Sequence, residues 1–107
     1  MVHRSPPDHL TKEAQSWWEQ LMEEFNLDDP GARLLLQTAC ECYDRMKQAQ
    51  ATVKKEGASF RDRFDQVKSH PLLVVERDAR SQMILAIKSL NLDIEPLRDK
   101  PGRPGGR

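Results

Sequence analysis

The feature that most constrains this chain is a run of small and apolar residues at heptad spacing. Ala32, Leu35, Ala39, Cys42, Met46, Ala49 and Val53 follow one another at intervals of 3, 4, 3, 4, 3 and 4 residues. That period keeps one seam on one side of an α-helix. Leu36 and Tyr43 widen the seam on one side. Asp29-Pro30 reads as an N-cap followed by a first-position proline, and Gly57 is a natural stop. The helix so defined has about 27 residues and is about 40 Å long. Such a helix cannot be covered by a first helix half its length, so much of its seam must pack on a third helix or on a neighbouring subunit.

Two further helices fit the pattern. Leu10, Ala14, Trp17, Trp18, Leu21, Met22 and Phe25 share one stripe, which predicts a helix from about Lys12 to Phe25, with Thr11 as N-cap and a polar turn at Asn26–Asp29. Adjacent residues lie about 100° apart on a helix, so Trp17 and Trp18 cannot both point into the centre of one core. One of them is expected at a subunit seam. The segment Ser69-His70-Pro71 starts a third helix, carried by Leu72, Val75, Ala79, Met83, Ala86 and Leu90 with Leu73, Ile84 and Ile87 beside them. Asn91 should close it in the left-handed conformation, with Leu92 folding back on the last turn. Between Gly57 and Ser69 the helical period is lost, and a short β-hairpin or ordered loop fits. The fold class is therefore mainly α: a three-helix subunit with a long central helix, a short loop or hairpin connector before the last helix, and a disordered C-terminal tail.

The chain has 107 residues, and its 17 Lys and Arg balance its 17 Asp and Glu. The zero is a cancellation between segments. Residues 1–29 carry a net charge of −5, residues 30–88 carry +4, and residues 89–107 carry +1. An overall neutral chain would argue against nucleic acid, because affinity for phosphate comes from Lys and Arg. A segregated charge instead suggests separate binding faces. No stretch approaches the roughly 20 apolar residues of a membrane span, and Met1–Leu10 has no apolar signal region, so a soluble cytosolic protein is expected, without a membrane partner.

Groups for catalysis or metal binding are thin. Cys40 and Cys42 would point roughly 200° apart on a helix, a poor geometry for one zinc or for an ordinary disulfide, and no second pair exists. Cys42 belongs to the seam as a small core residue, while Cys40 is expected to be a partly exposed thiol. His3 and His9 fall in an N-terminal arm, and His70 reads as a helix cap. Glu19, Glu23 and Glu24 form a solvated acidic face, and the run Pro101-Gly102-Arg103-Pro104-Gly105-Gly106 follows no strand and opens no helix, so it is no phosphate loop. No catalytic residue, cofactor or metal is expected, and the protein is not expected to be an enzyme. For nucleic acid the relevant groups are Lys54, Lys55, Arg61, Arg63 and Lys68 around the connector, and Arg77, Arg80 and Lys88 on the third helix. Neither helix-turn-helix spacing nor the interleaving of an RNA-recognition motif accompanies them, so contacts to phosphate are expected.

Taken in order, these segments resemble a phage terminase small subunit. The likeness rests on the Trp-bearing first helix, the long helix between Asp28-Asp29-Pro30 and Glu56-Gly57, and the connector closing in Ser69-His70-Pro71-Leu72. It continues through Arg77-Asp78-Ala79 and Leu85-Ala86-Ile87-Lys88-Ser89-Leu90-Asn91-Leu92 to a basic Pro/Gly tail, and covers about Leu10 to Pro96. The resemblance implies a non-enzymatic component of a viral genome-packaging motor, in the cytoplasm of an infected or lysogenic bacterial host. Such a protein would form a ring-like homo-oligomer, recognise double-stranded viral DNA and present it to the large terminase subunit, which holds the ATPase and nuclease.

On this reading residues 1–9 are a flexible arm, 10–92 an oligomerisation and DNA-binding domain, and 93–107 a disordered basic tail. Trp17, Trp18, Leu35, Ala39, Cys42, Met46 and Val53 are assigned to contacts between subunits. The eight basic residues of the connector and third helix are assigned to DNA. Arg98, Lys100, Arg103 and Arg107 are assigned to the large subunit or to DNA. Two other classes fit the same pattern: a self-associating helical adaptor without a DNA role, and a small oligomeric transcription regulator, which would need a base-reading helix or ribbon.

Overall fold

The computed structural model of the chain describes residues 5–92. In order, α1 spans Lys12–Phe25, α2 Pro30–Glu56, β1 Ser59–Arg61, β2 Val67–Ser69 and α3 Leu72–Leu90. The expected flexibility of residues 1–4 and the expected disorder of 93–107 lie outside the described residues.

Local chemistry sets the helix boundaries. The Thr11 hydroxyl accepts the Ala14 N–H at 3.2 Å, and an Asp29 carboxylate oxygen accepts the Ala32 N–H at 3.0 Å. Each satisfies one of the backbone donors left unpaired at a helix start. Asn26 and Asn91 end α1 and α3 in the left-handed region, with φ of 54° and 55°. Asparagine tolerates that region better than most residues. Gly57 ends α2 at φ 94°, where a side chain would be strained.

The long helix lies between the other two. Going up α2, the side facing α1 carries Leu36 and Cys40, which form one cluster with Leu10, Ala14, Trp18 and Met22. The heptad seam, Ala39, Cys42, Met46 and Ala49, is buried together with Ala79 and Ala86 of α3. The third helix therefore takes most of the seam, and its alanines let the two backbones approach closely. Both connections run antiparallel. Thr11 at the start of α1 meets Asp44 of α2, while Gln50 and Cys42 of α2 reach Glu76 and Gln82 of α3.

Burial of Cys40 corrects the sequence expectation of a partly exposed thiol: it is only 4% exposed. A position off the heptad seam faces away from α3, but that direction is where α1 packs. Both cysteines are free and buried, one on each side of α2.

The segment before α1 is held along α2. Thr11 donates its N–H (2.9 Å) and its hydroxyl to the Asp44 carboxylate, which places an anion beside the positive end of the α1 dipole. His9 Nε2 lies 2.7 Å from Glu41, and the Gln37 amide donates to the same oxygen at 3.0 Å. The Gln37 bond, followed by that of His9, holds the Glu41 carboxyl below its ordinary range. Among the described residues, no helix is long and apolar enough to cross a membrane.

Leu36 is fully buried between α1 and α2, whereas its neighbour Leu34 is 65% exposed. Leu36→Ala should therefore lower stability by about 2–5 kcal/mol, and Leu34→Ala by no more than about 0.5 kcal/mol. Urea unfolding at one fixed protein concentration separates them. Equal losses would contradict this assignment of faces.

Candidate nucleic-acid interface

The connector is a small antiparallel ribbon standing on the junction of α2 and α3. Ser59 pairs with Ser69, Phe60 with Lys68 and Arg61 with Val67, and all six strand residues are exposed. Its base is tied down by His70. The His70 N–H donates to the Ala58 carbonyl at 2.8 Å, Nε2 lies 2.7 Å from Glu56 at the end of α2, and Nδ1 accepts the Leu72 N–H at 3.0 Å. The two ring contacts assign one tautomer, with the proton on Nε2. The capping role expected of His70 is thus combined with a link between the two helices.

No glycine makes the turn at the tip. Asp65 accepts the left-handed conformation, with φ 62°, and its N–H donates to the Asp62 carbonyl at 2.9 Å. One Asp62 carboxylate oxygen accepts the N–H groups of Phe64 (2.8 Å) and Gln66 (3.0 Å). Arg61 reaches across to the Asp65 carbonyl (3.0 Å) and carboxylate (3.3 Å). This is a turn whose geometry comes from aspartate side chains bonding to nearby backbone.

The basic residues expected to meet nucleic acid separate into three groups. Lys54 and Lys55, in the last turn of α2, stand at the base of the ribbon that bears Arg61, Arg63 and Lys68. Among the described residues, Lys54, Lys55, Arg63 and Lys68 have no carboxylate within 4.0 Å, so their charge is available to an external anion. On α3, Arg77 lies 3.5 Å from Asp78, and Arg80 lies 3.0 Å from Glu76. Lys88 is exposed at the far end of α3, about 24 Å along the helix axis from Leu72. The ribbon end thus gathers five of the eight residues. On α1, which packs on the opposite half of α2 through Ala14, Trp18 and Met22, the acidic residues Glu19, Glu23 and Glu24 are exposed.

The residues assigned to contacts between subunits also divide. Trp18, Ala39, Cys42 and Met46 are buried within this one chain, Leu35 and Val53 are half-buried, and Trp17 is 45% exposed. Trp17 opens onto an apolar groove of about 300 Å³, walled by Leu21 from α1, Ala39 and Tyr43 from α2, and Met83 and Ile87 from α3. Elsewhere on its surface, α3 exposes Ile84 and Leu85. Leu85 was not singled out by its spacing. A sequence signal did exist, because α3 has apolar residues on more than one side and so carries more than one packing face requires. Arg98, Lys100, Arg103 and Arg107 lie outside the described residues.

Neither cysteine is placed for nucleophilic chemistry. Burial first, then the carboxylates of Asp44 and Glu41, push the Cys40 thiol up to about 11 from 9.0, and burial raises that of Cys42. The folded state holds the Cys40 thiol neutral where an unfolded chain would ionise it. Its contribution to stability is therefore complete below pH 9 and is lost as pH rises through about 11. A thiol reagent at pH 8 should label both cysteines promptly in urea and neither in the native protein. Prompt native labelling would contradict the burial of both.

Comparison with protein families matches residues 14–96 to a family described as phage terminase, small subunit. No curated protein and no solved structure matches the chain.

Proposed function

Since the chain belongs to the phage terminase small-subunit family, we propose that it is a non-catalytic part of a viral DNA-packaging motor. In this reading, copies of the chain assemble into a ring-like homo-oligomer that recognises double-stranded viral DNA. The ring hands the DNA to the large subunit, which carries the ATPase and nuclease, and does so within the host cell. The four C-terminal basic residues, Arg98, Lys100, Arg103 and Arg107, would contact that subunit or DNA.

The observation that carries this reading is the presence of two unlike surfaces on one subunit. The apolar groove bordered by the exposed Trp17 is the kind of exposed apolar surface that a partner covers. A second copy supports a ring if the partner surface differs from this one, since a head-to-tail contact closes by rotation. The cations of the ribbon end supply a separate surface for phosphate. The four unpaired positive charges at the ribbon end, Lys54, Lys55, Arg63 and Lys68, bind weakly alone. Repeated around an oligomer they act together, since each further contact becomes intramolecular. Those unpaired cations favour a DNA role over an adaptor that only self-associates. They make phosphate contacts the basis of binding and leave recognition of DNA shape to the assembly.

Two measurements test the two surfaces. DNA affinity should fall linearly on a log–log plot against salt, and replacing Lys54, Lys55 and Lys68 together by Ala should lower the slope by about 1 for each phosphate contact removed. An unchanged slope would place the DNA surface elsewhere, and no binding at low salt would favour the adaptor. Light scattering should report a multimer for the native chain and a much smaller species for Trp17→Glu, which would bury an unpaired charge in the contact. A native monomer at tens of micromolar would contradict the assembly.

A further inference from the structure

The geometry points to Phe64 as an apolar wedge that enters the base stack of duplex DNA from the tip of the ribbon. This inference rests on the DNA-binding role proposed above and adds to it a mode of contact that phosphate binding does not require.

At 69% exposure, Phe64 is the most exposed large apolar side chain among the described residues. Turn tips usually carry small or polar residues. Phe64 is also held in a rigid frame: its own N–H and that of Gln66 are fixed by Asp62, and Arg61 clamps Asp65. The turn therefore fixes the backbone from which the exposed ring projects. Two strand residues beyond Ser59 and the turn itself project by about 10 Å. That reach exceeds the roughly 7.5 Å depth of the minor groove, so the ring can reach the base pairs while Lys54 and Lys55 stay at the level of the phosphates.

Charge selects the partner. The Arg63 guanidinium lies 5.2 Å from the centre of the Phe64 ring, and Lys68 stands across from Phe60 on the ribbon. The carboxylates nearest the tip are engaged: Asp62 accepts two N–H groups and Asp65 pairs with Arg61. An aromatic ring flanked by free cations, with its neighbouring carboxylates occupied, complements a polyanion with an apolar interior. Side chains of this kind part a base step and bend the duplex.

The test uses the full chain and a duplex of about 30 base pairs, a length on which a wedge-induced bend is measurable, with 2-aminopurine at several adenine positions. Its fluorescence rises when a base is unstacked. Saturating native protein at low salt should raise it. Phe64→Ala should abolish the rise and weaken binding about tenfold, the scale of one lost stacking contact, while leaving the salt slope unchanged. Phe64→Leu should retain much of the signal, since leucine also serves as a wedge. Circular dichroism checks that both variants fold. Native protein that binds DNA without a fluorescence rise, or a Phe64→Ala variant that keeps the rise, would overturn the wedge and leave the DNA-binding role standing. A Phe64→Ala variant that instead loses oligomeric mass would assign Phe64 to a protein contact. Absence of any DNA binding by the native protein would overturn both proposals.

Discussion

Everything in this subunit depends on the fact that α2 is apolar in two directions. Positions 36 and 40 face α1, and positions 39, 42, 46 and 49 face α3. A helix buried on both sides needs two antiparallel partners, and the chain supplies one from each end. The two turns that bring them back, at Asn26 and at the ribbon, then fix where charge falls. The acidic α1 lies along the first half of α2, while the ribbon and the last turn of α2 bring five basic residues to the other end. A net charge of zero thus becomes a subunit with unlike ends.

The same geometry explains why the apolar surface is not fully used within one chain. A short α1 and a longer α3 flank α2 without closing over it, and the angle between them is the groove bordered by Trp17 and Ile87. Trp18 turns inward and Trp17, one residue before it, turns out. Adjacent tryptophans on a helix separate in this way because about 100° lies between them. What one tryptophan does for the subunit's core, the other can do for its contacts.

Features that depend on neighbouring residues in the chain were legible from the amino-acid order. Thr11, Asp29-Pro30, Gly57 and Asn91 act within a few residues of where they stand, so the three helices begin and end where those residues predict. The turn of the ribbon was not legible in detail, because two aspartates do there what an Asn-Gly pair more often does. The burial of Cys40 is illegible in the amino-acid order for a different reason. Its burial comes from α1, a contact between residues far apart in the chain, and a single heptad seam does not reveal a second buried side. The basic cluster was legible as a set of residues. The split between unpaired cations at the ribbon and paired arginines on α3 depends on the positions of Asp78 and Glu76 side chains, which sequence alone does not supply.

On the proposed function, one end of the subunit meets DNA and the other does not. Hydrogen exchange with and without a duplex at low salt tests it most directly, because amides are read along the whole chain at once. Protection on adding DNA should be concentrated in residues 54–69, with α1 unchanged. Protection concentrated in α1, or none anywhere, would contradict the account.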